Sequence, residues 1–146
     1  IQIVNLGNFE VDTKKNVIMI SADYQSTLFS EAASASFHAD GWQVYSLGDM
    51  SSSIDVLFDL DLQKFLTKVW KSGMGIMVIV IFSSTAESMK FFAESVNSIK
   101  LKSRKNLYLA VCGDMKKNTE IKADLVEEDI QAVLQWSQTT FESFIS

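Results

Sequence analysis

The sequence predicts an α/β fold, a mainly parallel five-stranded sheet with helices on both faces. Apolar runs of strand length alternate with stretches of helical periodicity from Asn16 to the end of the chain. Two of those runs, Val17 to Ser21 and Ile76 to Phe82, are almost continuously apolar, as in strands buried on both faces. The totals agree: 146 residues, 47% hydrophobic and 21% charged, form one domain that can bury a core without disulfides or metal.

The first 15 residues read as an N-terminal extension to the fold proper, which occupies 16–146. Ile1-Gln-Ile-Val and Asn8-Phe-Glu-Val11 are two short extended pieces around Leu6-Gly7-Asn8, suited to a hairpin or an added sheet edge. Asp12 to Asn16 reads as a turn and Val17 to Ser21 as the first core strand. Ser26 or Thr27 can cap the helix that follows, and Ala32, Ala33 and Ala35 would let it approach the sheet closely. Asp40-Gly41 stops that helix.

Trp42 to Leu47 is the second strand and Gly48 to Ser53 its loop. Ile54 to Asp61 mixes apolar residues with Asp55, Asp59 and Asp61, and a helix from about Leu60 to Lys71 places Leu62, Phe65, Leu66 and Val69 on one face. Ile76 to Phe82 is the least polar strand, which belongs at the sheet's centre, and Ser83-Ser84-Thr85 opens a helix striped by Met89, Phe92, Ala93, Val96 and Ile99. Lys100 to Lys105 is a solvated basic connection and Leu107 to Val111 the fourth strand. After a polar loop, Ala123 to Val126 is a short last strand. The helix from Glu127 to Phe144 closes the chain, with its acids at the favourable N-terminal end. Right-handed crossovers between five such strands give the flavodoxin-like order 2-1-3-4-5.

In such sheets ligands bind outside the carboxyl ends of the strands, so the loops Asp23–Thr27, Asp49–Ser53 and Ser83–Thr85 are expected to converge at the site. Chemistry there is sparse. One histidine, His38, and one cysteine, Cys112, assemble no catalytic triad, disulfide or thiolate cluster. The hydroxyls of Ser26-Thr27 and Ser83-Ser84-Thr85 sit at helix starts without a glycine-rich loop, so capping explains them better than a flavin or nucleotide phosphate. A phosphorylated receiver needs an aspartate where the third strand ends in Phe82-Ser83, which leaves only a receiver-like domain without phosphotransfer. The spacing of Asp49, Asp55, Asp59 and Asp61 fits no calcium loop. A net charge of −5 argues against nucleic acid and anionic membrane as partners. The lone cysteine and the lack of any run of about 18 apolar residues or a basic-apolar leader suit a cytoplasmic setting.

From Asn16 to Ser137 the pattern resembles the cobalamin-binding domain of methionine synthases, corrinoid proteins and cobalamin-dependent regulators. Thr27-Leu28, the block Gly41-Trp-Gln-Val-Tyr-Ser-Leu-Gly48, the strand and helix from Ile76 to Met89, Cys112-Gly113 and Ala123-Asp124 carry the resemblance. It implies the fold, but the family's Asp-x-His-x-x-Gly signature, whose histidine ligates cobalt, is missing. Tyr24, Ser26 and Phe29 occupy those positions without a gap, and Asp23, Gln25 and Leu28 with one. The family's serine after the third strand falls on Ile79 when the helix is aligned at Met89, and its Gly-Gly is reduced to Cys112-Gly113. Phe29 and Ile79 would then fill the channel that takes the nucleotide tail.

The resemblance thus implies a cobalamin-type fold with no expected cofactor, and a non-enzymatic sensory or regulatory domain that works by contact with a neighbouring domain or partner protein. Tyr24, Gln25, Ser26, Met50, Ser83 and Ser84 are the expected contact surface, with the acids of Asp55–Asp61 at its rim. The rivals are a heme- or corrinoid-binding sensor, with His38 or Cys112 as the heme ligand, and a flavin- or corrinoid-dependent enzyme domain. Read alone, His38 is a surface helix residue and Cys112 a small buried filler.

Overall fold

The computed structural model describes residues 2–3, 12–55, 57–70, 74–102, 105–113 and 121–146. Strands β1 (Gln2–Ile3), β2 (Asp12–Ser21), β3 (Trp42–Asp49), β4 (Ile76–Ser83), β5 (Leu107–Gly113) and β6 (Leu125–Glu127) form one sheet in the order β1-β3-β2-β4-β5-β6. From β3 to β6 every pairing is parallel, which is the predicted five-strand order, and β1 adds an antiparallel edge beside Tyr45 and Ser46. The second extended piece, Asn8 to Val11, lies outside the described residues, as do most of the polar loop after β5 and the glycine break at residue 73.

Helices α1 (Thr27–Ala39) and α4 (Ile130–Ile145) cover one face of the sheet, and α2 (Phe58–Val69) and α3 (Ala86–Lys100) the other. Strand alternation sorts the core between them. Ile18, Ile20, Ile79, Ile81 and Leu109 point to α2 and α3, where Phe92 packs edge-on against Phe58 and Phe91 at 4.9 and 5.1 Å. Val17, Met19, Val78, Val80, Phe82 and Cys112 point to α1 and α4, where Trp42 meets Phe37 and Phe141. Among the described residues no helix is long and apolar enough to cross a membrane.

Several local expectations are corrected. Asp12 to Asn16 is strand, not turn. A register shift against β3 between Asp12 and Asn16 absorbs its polar residues. Lys15 lays its stem beside Trp42 and Phe141, with Nζ 5.2 and 5.5 Å from the ring centroids, and donates to Asp40 O at 2.9 Å. Asn16 donates to Ile76 O at 3.1 Å. The small residues that bring α1 onto the sheet are Ser30, Ala33 and Ser34, whereas Ala32 and Ala35 are exposed. β3 runs on through Gly48 and Asp49, and the last strand and helix begin at Leu125 and Ile130. Ile79 lies mid-strand, paired with Ile18 and Leu109 and facing α2 and α3. It is neither a residue after the strand nor the filler of an open channel, because its side chain is fully buried in the core under α2 and α3.

Candidate functional site

The carboxyl edge of the sheet is organised by Asp23. Its Oδ1 accepts from Ser26 N at 2.9 Å, capping the 3-10 turn Tyr24–Ser26 that leads into α1. Its Oδ2 accepts from Ser84 N and Ser84 Oγ, both at 2.8 Å, across from the end of β4. Gln25 Oε1 lies 3.0 Å from the same Ser84 hydroxyl. Partial burial pushes the Asp23 carboxyl up, but the hydrogen bonds from Ser84 and Ser26 outweigh it and hold the pKa below the ordinary carboxylate value. One carboxylate thus braces the first turn against the third.

The three predicted loops converge. Ser21 Oγ donates to Asp23 O at 2.6 Å, and Met50 N donates to Ser21 O at 2.7 Å, which draws the loop after β3 into the same edge. Ser83 is buried and donates to Thr85 O at 2.7 Å, while Thr85 caps α3 through Ser88 N. Gly113 packs so closely on this edge that a Cβ there would come within 2.4 Å of Ser83 O, so glycine is required at the end of β5.

Of the predicted surface residues, Tyr24, Gln25 and Ser84 are exposed, and Ser26 and Ser83 are buried. Met50 is half-buried against the α2/α3 core, so it serves packing more than contact. Asp23 was overlooked as the hub; the signal for it is an aspartate three residues before a serine ahead of a helix. The crest instead exposes Tyr24, Leu28 and Phe29, at 79, 72 and 61% of their surface. Phe29 stands at the mouth of a crevice and does not fill it.

That crevice has a volume of about 550 Å³ and lies between the start of α1, the ends of β4 and β5, and Glu128. Cys112 faces it with 5% exposure. Burial, with Glu127, Asp129 and Glu128 adding to it, pushes its thiol up to about 11, so at neutral pH it is protonated and a poor nucleophile or ligand. His38 is buried, not a surface residue, and it lies near the other end of α1, about 14 Å from Phe29 along the helix axis. His38 and Cys112 are therefore not brought together. Asp55 caps its own turn through Leu57 N, Asp59 and Asp61 sit in the first turn of α2, and no metal-ligating cluster occurs among the described residues.

On the other side of Gln25 a second cavity, about 780 Å³, separates α1 from the end of β3. Thr27, Ser30, Glu31, Ser34, Ser46 and Asp49 line it, with Tyr24 on its rim.

No family and no curated protein matches the chain by sequence. By structure it is similar to the monomethylamine corrinoid protein of Methanosarcina barkeri, with a TM-score of 0.64 at 15% identity over 86% of this chain. The chain spans 57% of the length of that protein. What the likeness establishes is the fold: this chain has the flavodoxin-like architecture of a corrinoid-binding protein.

Proposed function

We propose that this chain is a non-enzymatic sensory or regulatory domain that docks a protein partner on the carboxyl edge of its sheet. One observation carries the reading: the crest exposes Tyr24, Leu28 and Phe29 on a turn whose polar groups are turned inward onto Asp23 and Ser84. Exposed aromatic and aliphatic side chains over a braced, preorganised backbone are the composition of an interface core. The turn that ligates cobalt in the family it resembles has no imidazole here.

A second reading rests on the crevice beside Phe29. In a corrinoid-protein fold, a 550 Å³ opening between the start of α1 and the ends of β4 and β5 would suit part of a flat cofactor, a corrinoid or heme, packed beside Phe29 without a histidine ligand. Titration with hydroxocobalamin and hemin, followed by absorbance, separates the two. The docking reading expects no complex tighter than about millimolar, roughly −4 kcal/mol. In parallel, a photo-crosslinking residue is placed at Tyr24 and, as a control, at exposed Lys68 in the cell of origin. A discrete adduct from position 24 alone supports docking. No adduct there, or a micromolar cofactor complex, overturns it.

A further inference from the structure

The two ends of the molecule carry opposite charge. At the carboxyl edge, the described residues of 22–31, 49–61 and 127–131 hold carboxylates and no lysine or arginine. Tyr24, Leu28 and Phe29 project from this edge as an apolar knob. Glu31 and Asp49 line the cavity on one side of it, and Glu128 lines the crevice on the other. Toward the amino edge, α3 runs out in Lys100-Leu101-Lys102, and Leu101, at 86%, is the most exposed large hydrophobic side chain among the described residues. Leu101 borders a groove of about 420 Å³ between α3 and residues 121–122. Ala93 and Ile121 extend its apolar lining, and exposed Lys90 and Lys122 flank it, with Glu94 beside them. Lys100 is paired with Asp124, so the positive charge around the groove comes from Lys90, Lys102 and Lys122.

An apolar knob among carboxylates and an apolar groove among lysines are complementary in shape and in charge. We infer that the partner of the crest is a second copy of this chain, joined head to tail, with Tyr24, Leu28 and Phe29 of one copy seated in the α3 groove of the next. This deepens the docking reading and rests on it. Crest-to-crest pairing is disfavoured, because it would set carboxylates against carboxylates. α1 and α3 cover opposite faces of the sheet, so the crest of a copy cannot reach its own groove. The contact is therefore heterologous, and it extends into short chains or closes into a ring.

The test is sedimentation of the whole chain at about 0.5 mM, a concentration that reveals a small, weak interface with a Kd of about 0.1 mM. The parent chain is expected to form dimers and larger species in low salt, and to dissociate as added salt screens the lysines and carboxylates. Phe29→Ser on the crest and Leu101→Ser at the groove change exposed side chains, so each variant should keep the parent's melting curve and sediment as a monomer. Mixed in equal amounts, the two variants should form a dimer and nothing larger, because one brings an intact groove and the other an intact crest. The inference is overturned if the parent chain stays monomeric in low salt, if either variant associates like the parent, or if the mixture remains monomeric. A monomeric parent beside a position-24 adduct to a different protein removes this inference and leaves the docking reading in place. An adduct of the chain to itself supports both, so the two fail separately.

Discussion

The two faces of the sheet are built differently. Under α2 and α3 the core is mainly apolar, with Ile79, Ile81, Leu109 and the Phe58–Phe91–Phe92 cluster in close contact and Ser95 the buried polar residue of α3. Under α1 and α4 the same strands meet buried Ser30, Ser34, His38 and Ser137, and the three buried side-chain atoms without partners among the described residues, Ser30 Oγ, Trp42 Nε1 and Gln138 Oε1, all lie there. Both cavities at the crest also flank α1. A face that holds unpaired buried polar atoms is less completely optimised for stability than its opposite.

The largest effect that would sharpen this contrast is Phe92→Ala, expected to destabilise the chain by about 3–5 kcal/mol through lost burial and a cavity. Ile79→Ala should cost about 2–5 kcal/mol by the same mechanism. Urea unfolding checks both, and a loss below about half a kcal/mol in either would mean that the α2/α3 face is not the stability core.

Next in size is the brace at the crest. Asp23→Ala removes a cap worth about 0.5–2 kcal/mol together with the link to Ser84. Because the folded-state pKa of Asp23 is lowered, its contribution is present above the ordinary value of 3.8 and is lost as pH falls below it. Asp23→Asn should therefore flatten the acid limb of the stability profile, and an unaltered limb would show that the brace carries no charge-dependent stability.

Cys112 gives the opposite limb. Its thiol is raised from 9.0 to about 11, so folding is favoured below pH 9 and this contribution is lost as pH rises toward 11. Cys112→Ala should reduce the stability lost across that interval. Thiol labelling at neutral pH should be slow in the folded chain and fast in urea; equal rates would contradict the burial of the thiol.

The smallest change is expected at Ser30. Ser30→Ala removes a buried hydroxyl that bonds to nothing, so stability should hold or rise slightly. A loss of more than about 1 kcal/mol would reveal a partner for Oγ and erase the asymmetry between the faces.

The fold was legible because its strongest signals are local. The runs Val17 to Ser21, Ile76 to Phe82 and Leu107 to Val111 are long enough and apolar enough to be strands in any context, and their spacing leaves room only for crossover helices. Asp12 to Asn16 was not, because a lysine and an asparagine became strand residues only once Trp42, Phe141 and the Ile76 carbonyl were in place. The candidate site was legible as a place and not as a mechanism. Convergence of the three loops follows from topology, but the bond from Asp23 to Ser84 spans 61 residues and no periodicity signals it. Ile79 was legible as core of the central strand, and it is fully buried there; only its alignment with the family's serine failed, because helix spacing says nothing of which face a strand residue takes.

The short outer strand has a consequence of its own. β6 contributes three residues, Leu125 to Glu127, and Glu128 and Asp129 follow it directly. A parallel sheet ending in a longer apolar strand would offer unpaired amides and carbonyls as a template for another chain. Here the template is three residues long, carries Glu127 and runs straight into two more carboxylates, so a strand added in register would meet a growing negative charge. That margin is guarded against self-assembly, and a concentrated solution of the folded chain should remain free of sheet-to-sheet aggregates built along it.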